Sequence, residues 1–298
     1  MTPLSPEPVP LEPLSFEPLS RRSLSTGRTA SLAVLAALIA LIAVSIPFAF
    51  PHDAEAKAVD STFTFRDALL PPGVPSVAMR DDETAMLWNP AGLAMSRAYL
   101  VSYAWKGTYH EDDRQVSTHF LLMKARGFGL GFTRDDTAPG TKVTTLFTLA
   151  PHVVSNFALG FTGKWKGGFN FDSGLMYRKE PYFSLGFVAR NLRDRKNARR
   201  YFEGGVAIAA APHRLTLFFD VINEESTFRD AFAYGGGLSA KMEYGITLNA
   251  SCFTDGQHHE TYRASLNLSG GVNVIEGEYS VTTNDWSTVS ARVASRSE

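Results

Sequence analysis

The chain has almost no cysteine. Its one residue of that type, Cys252, excludes an intramolecular disulfide framework and any cluster of thiolate ligands. It also lacks an excess of charge of either sign, with 29 basic and 30 acidic residues giving a formal net charge of −1. Nucleic acid as a partner calls for a basic face, so this balance argues against it. No serine sits in a G-x-S-x-G elbow, and no phosphate loop or dinucleotide fingerprint occurs. The expectation is therefore a protein that is not an enzyme and uses no cofactor. Long apolar runs are missing too, with one exception at residues 32–50.

What the chain does have is aromatic side chains and glycine: 12% aromatic, with 21 Phe and 24 Gly. This composition fits an all-β membrane protein better than an average enzyme. Residues 1–20 form a Pro- and Ser-rich tract that no regular structure accommodates, and they read as a disordered tail. Arg21, Arg22 and Arg28 then precede the apolar run, and Ala54, Ala56 and Ala58 stand behind it at small-residue cleavage spacing. Residues 1–58 thus read as a tail plus a secretory signal. The alternative is an uncleaved anchor, because the apolar run is long enough to span a bilayer. On that alternative the chain is a periplasmic β protein tethered to the inner membrane.

Residues 59–96 read as a linker followed by a short signature. The breakers Pro71, Pro72, Gly73 and Pro75 stop any strand or helix. Asp81-Asp82-Glu83 comes next, then the apolar cluster Ala85, Met86, Leu87 and Trp88. Asn89-Pro90-Ala91-Gly92 closes the stretch with turn chemistry.

From residue 97 to 298 the pattern is β throughout. About fourteen segments alternate with period 2, at 97–107, 114–125, 127–135, 140–150, 153–166, 168–178, 182–192, 200–210, 213–222, 231–242, 244–254, 259–268, 270–281 and 287–296. Most run about 9–12 residues, the length that crosses a bilayer when tilted. One face is apolar: Phe157, Leu159 and Phe161; Leu215, Leu217, Phe219 and Val221; Tyr262, Ala264, Leu266 and Leu268. The other carries glycines, hydroxyls and isolated charges, with Phe218 out of pattern. The fold class expected is an antiparallel transmembrane β-barrel of about 14 strands (12–14), lipid outside and lumen inside. Tyr99, Trp105, Trp165, Tyr177, Tyr182, Tyr201, Tyr234 and Tyr262 are candidates for its interfacial girdles.

The run from Asp81 to Ala94 resembles the N-terminal region of FadL-like and PorV-like outer-membrane barrels, where an acidic run leads into "NPAGLA" at or inside the barrel mouth. The matching residues are Asp81, Asp82, Thr84, Ala85, Asn89, Pro90, Ala91, Gly92, Leu93 and Ala94. Residues 167–192 also resemble paired strands of PorV-like barrels, through Tyr177, Arg178, Pro181, Ser184, Leu185, Gly186, Val188, Asn191 and Leu192. Similar barrels occur fused ahead of signal-peptide-peptidase-like proteases. The resemblance implies an outer-membrane protein of a Gram-negative bacterium with a plug-like segment. Asp81, Asp82, Leu87, Trp88, Asn89, Pro90 and Gly92 are its candidate plug and lumen residues. The FadL-like side implies binding or passage of a hydrophobic small molecule; the PorV-like side implies a scaffold for secreted proteins. Outer-membrane lipid is the remaining expected partner.

Other groups of polar residues carry no site. His110-Glu111-Asp112-Asp113 lacks the alternate spacing and glycine of a calcium loop and reads as a solvated tip. Asp81-Asp82-Glu83 reads as a polar loop rather than paired catalytic carboxylates. His258-His259 has no second ligand group nearby, so no metal is expected. Arg190, Arg193, Arg195, Lys196, Arg199 and Arg200 read either as a solvated loop or as a turn contacting anionic headgroups. The signal reading gives a direct prediction: N-terminal sequencing of the membrane-purified protein should start near Val59. Recovery of Met1 would leave only the anchored alternative.

Overall fold

The computed structural model describes residues 70–110, 113–137, 140–193, 200–224, 232–254, 260–283 and 286–297. Fifteen strands occur among them. In chain order they are β1 (Tyr99–His110), β2 (Asp113–Ala125), β3 (Phe128–Thr137), β4 (Gly140–Leu149), β5 (His152–Val154), β6 (Phe157–Trp165), β7 (Phe169–Lys179) and β8 (Phe183–Arg190). They continue as β9 (Tyr201–Ala211), β10 (Leu215–Glu224), β11 (Phe232–Lys241), β12 (Ile246–Thr254), β13 (Glu260–Gly270), β14 (Asn273–Thr282) and β15 (Trp286–Ser297).

Each strand pairs antiparallel with its neighbours in sequence, and the first and last close the ring through pairs running from Tyr99↔Ser297 to His110↔Trp286. On the other side β4 pairs with β6, from Thr145↔Trp165 to Leu149↔Phe161. The short β5 continues that register, with His152 opposite Ala158. The break falls at Ala150-Pro151, where proline has no N–H to give a ladder. β4 and β5 therefore act as one interrupted strand, and the wall is a closed barrel of 14 strands. Closure leaves no open sheet edge, which a bilayer requires.

The alternation seen in the sequence sets the two faces. Phe161, Leu185, Phe187, Phe219, Leu266 and Ile275 are exposed on the outside, while Thr162, Ser184, Val188, Asp220, Ser265 and Glu276 between them are buried inside. Phe218, the residue out of pattern, faces inward and joins Ala207, Ile222, Ala233 and Phe253 in an apolar strip on the lumen side. Tyr99, Trp165, Tyr182 and Tyr262 are exposed, as girdle residues must be. Tyr201 is a correction. It lies beneath the Arg190 guanidinium, 5.6 Å from the ring centre, and belongs to the lumen.

The two rims differ. At the rim where β1 begins, turns are tight: Arg126-Gly127, Ser155-Asn156 and Gly271-Val272. Gly127 and Gly271 hold φ of 67° and 58°, the left-handed region such two-residue turns need. At the other rim the strand ends are further apart in sequence, as between Arg190 and Tyr201 and between Glu224 and Phe232. Short turns on one side and longer loops on the other are the organisation of outer-membrane barrels.

This geometry predicts a depth profile. Leu266 lies mid-strand in β13 and Val272 in a rim turn, both exposed. Leu266→Arg should cost about 2–4 kcal/mol and Val272→Arg about 0–1 kcal/mol. Urea unfolding in lipid checks this, and equal losses would remove the bilayer from around β13.

Candidate functional site

The lumen of this barrel holds its own N-terminal segment. Between residues 70 and 94 nearly every side chain is buried, including Val77, Ala78, Glu83, Met86, Trp88, Asn89 and Leu93. The segment contains one helical turn, α1 (Ala85–Trp88), and one 3-10 turn (Pro90–Ala94). Proline at 90 explains both the break and the restart. It forces the preceding Asn89 into an extended conformation (φ −147°, ψ 105°), ending α1, and its own fixed φ suits the first position of the next turn. The Asn89 side chain caps that turn by accepting from Ala91 N at 3.2 Å.

An irregular backbone buried this way leaves many carbonyls without ladder partners, and wall side chains supply the donors. Arg190 donates to the carbonyls of both Leu87 and Trp88. Thr162 Oγ1 donates to Met86 O (2.9 Å), Arg178 Nη2 to Met79 O (3.0 Å) and Lys106 Nζ to Leu70 O (3.2 Å). Lys124 Nζ lies 2.5 Å from Asp81 O, and His152 Nε2 the same distance from Ala94 O. Acceptors on the wall take the segment's free N–H groups: Asp220 Oδ1 accepts from Val77 N (3.2 Å), and Glu278 Oε2 from Gly73 N (2.8 Å). Asn89 Nδ2 reaches the wall backbone itself, donating to Leu175 O at 3.0 Å.

Close approach is possible because the wall is bare where the segment touches it. A Cβ on Gly160 would sit 2.2 Å from Ala91 N and Pro90 C, and one on Gly174 2.2 Å from Asn89 Oδ1. Gly186 meets Val77 O in the same way, and Gly129 and Gly131 face Leu93 and Met86. Met86 and Leu93 pack with Phe120, Leu122, Leu146 and Met176 of the wall into one apolar cluster. Burying a large apolar side chain contributes about 1.5–3 kcal/mol, so this cluster holds one flank of the segment.

Charge holds the other flank. Asp81, Asp82 and Glu83 lie in a bend and turn without regular structure, held by cations. Arg178 Nη1 is 2.5 Å from Asp81 Oδ2, and Arg292 Nη1 is 2.7 Å from Asp82 Oδ2 and 2.8 Å from Glu83 Oε1. Arg292 also reaches Glu276 at 2.9 Å, and Arg80 reaches Asp82 at 3.0 Å. Burial pushes the Asp82 carboxyl up, but Arg292 and Arg80 outweigh it and hold it well below the usual carboxylate range. Burial raises Glu83, with Arg292 opposing and Asp82 adding to the rise. Inward-facing arginines on strands far along the chain receive the acidic run inside the lumen.

The remaining candidate residues fall in the same place. Leu87 is partly buried, while Trp88 is fully enclosed with the Arg80 guanidinium 5.9 Å from its ring centre. Gly92 makes no left-handed turn. Its need for glycine comes from Arg80 O, which a Cβ would approach to 1.9 Å. Arg190 is a second correction, since it is no surface residue but a lumen group between Glu203 (3.3 Å) and Asp172 (3.6 Å). Arg193 and Arg200 stay near the rim, where Arg200 donates to Leu192 O at 3.1 Å. Arg195, Lys196 and Arg199 lie outside the described residues, as do Glu111, Asp112, His258 and His259. Among the described residues no group of His, Cys, Asp and Glu could hold a metal ion.

Sequence reasoning missed Lys124, Arg190 and Arg292 as wall partners of the segment, and the close backbone approach at Gly160, Gly174 and Gly186. The available signal was their position on the lumen-facing phase of each strand.

No protein-family model matches the chain, and no curated protein is significantly similar to it. Solved structures match at low identity. The outer membrane protein Omp33 of Acinetobacter baumannii shares 6% identity with a TM-score of 0.49, covering 68% of this chain and 100% of its own. A Pseudomonas aeruginosa FadL homologue gives 11% and 0.46, over 74% of this chain and 94% of its own. The KdgM porin gives 10% and 0.38, over 67% and 99%. Identity this low transfers none of their activities to the present chain.

Arg292 anchors three carboxylates in a closed interior, so removing it strands them. Arg292→Leu should destabilise by about 3–5 kcal/mol, and adding Glu83→Gln should restore part of the loss. Equilibrium unfolding in detergent measures both, and additive losses would show that the groups are not coupled.

Proposed function

We propose that this chain is a gated outer-membrane channel in which residues 70–95 form a displaceable plug. One observation carries this reading. The segment fills the lumen, yet it is joined to the wall by side chains and apolar packing, with no strand pairing between them among the described residues. It can therefore leave without opening the barrel, whose own ladders are complete around the ring.

The lining supports a polar solute better than the hydrophobic molecule implied by the FadL-like resemblance. Hydroxyl and charged groups face inward on β12 to β15, including Ser251, Thr261, Arg263, Glu276, Ser280 and Thr288. The apolar strip around Phe218 and Phe253 covers one sector only. On this reading the chain carries transport and no catalytic step. A scaffold role for secreted proteins would use the outer rims and needs no lumen contact.

Arg80 and Gly92 already touch, so removing residues 81–91 rejoins two adjacent points of the chain. In planar bilayers that deletion should give steady conductance where the intact protein is closed. Equal conductance of the two, with both assembled as heat-resistant barrels, would overturn the plug reading.

A further inference from the structure

The acidic run deserves a closer account than latching, because of what surrounds it on the wall. Three basic side chains converge there from three separate strands: Lys124 from β2, Arg178 from β7 and Arg292 from β15. All three are largely withdrawn from solvent: Lys124 as a whole is 3% exposed, and the side chains of Arg178 and Arg292 are 12% and 4% exposed. Lys124 Nζ bonds the main-chain carbonyl of Asp81, whose carboxylate Arg178 holds, so these cations meet at one residue of the acidic run. Their nearest charged partners come mostly from the plug. Among the described residues of the wall, Arg178 has the exposed Glu180 at 3.9 Å, and Arg292 has Glu276.

Elsewhere in the lumen several wall charges pair with one another. Lys164 pairs with Asp172 at 2.7 Å, Lys166 with Asp135 at 2.8 Å, and Arg190 with Glu203. These pairs need no plug and remain balanced when it moves. The ring of Lys124, Arg178 and Arg292 is different, because displacing residues 81–83 leaves it with an excess of positive charge inside the barrel. Charge in that setting is weakly screened and selects strongly for the opposite sign.

We infer that Lys124, Arg178 and Arg292 form an anion-binding ring in the channel wall, and that Asp81, Asp82 and Glu83 occupy it as an internal substitute for the anion. The ligand class is a small polyanion bearing carboxylate or phosphate groups, which the planar guanidinium forks of Arg178 and Arg292 suit. This rests on the plug reading, and it makes entry of an anion and departure of the acidic run competing events. An anion at sufficient concentration then favours the unplugged state by mass action.

The test uses the full mature chain carrying Asp81→Asn, Asp82→Asn and Glu83→Gln, with inorganic tripolyphosphate as the probe. In detergent at low salt, tripolyphosphate should raise the Tm of this variant by about 2–4 °C or more and leave the wild type unmoved. Adding Lys124→Gln, Arg178→Gln and Arg292→Gln should abolish the rise. A variant that responds no more than the wild type overturns the inference. If the triple variant does not fold, Asp81→Asn alone takes the carboxylate away from Arg178 and is put to the same measurement; no response there overturns it equally. In bilayers under a KCl gradient, the current of the responding variant should reverse towards the chloride potential, and reversal towards potassium overturns it. The two readings fail separately. Tripolyphosphate binding without any gain in current counts against the gate, whereas current without anion preference counts against the ring.

Discussion

A chain segment without regular structure cannot be buried unless every carbonyl and N–H finds a partner, and here the partners come from the barrel wall. Residues 70–94 make few ladder bonds of their own. The wall answers with Arg190, Thr162, Arg178, Lys124, Lys106 and His152 as donors and Asp220 and Glu278 as acceptors. Each lost bond inside would cost about 1–3 kcal/mol. That requirement dictates which strands carry long cationic side chains inward, and where. It also fixes the path of the segment, because the donors stand at set heights on a rigid sheet.

The same requirement explains an otherwise odd feature of the strands, their inward glycines. A β-strand loses packing and gains backbone freedom at glycine, so five of them facing one surface is costly unless something occupies the space. Pro90, Asn89, Val77, Leu93 and Met86 occupy it. The glycines and the cations form two complementary halves of one surface: the first lets backbone approach backbone, the second satisfies what the approach leaves exposed.

Much of this architecture was legible in the sequence. Period-2 alternation placed fourteen strands within a few residues of their ends, since each inside–outside choice is reinforced by both neighbours. The one irregularity, Phe218, followed the strand phase rather than its hydrophobicity, because the lumen has an apolar sector of its own. The acidic run is the polar loop its sequence suggests, but lodged in the lumen, and Arg190 was misread as part of a surface patch, for a common reason. Local sequence reports polarity, while burial here depends on partners about 100 to 210 residues away (Arg190 with Leu87 and Trp88, Arg292 with Asp82). No periodicity of either segment carries that information.

The ring closes at the pairing of β1 with β15, the two ends of the β region. Every other seam joins strands that follow one another in the chain, so this one alone brings together residues far apart in sequence. The strand that completes it carries Arg292, whose guanidinium grips the acidic run 209 and 210 residues upstream. Closure and seating of the segment are thus read by one side chain. The seam that closes the barrel and the grip on its contents therefore lie on one strand, so a change at either is felt by the other.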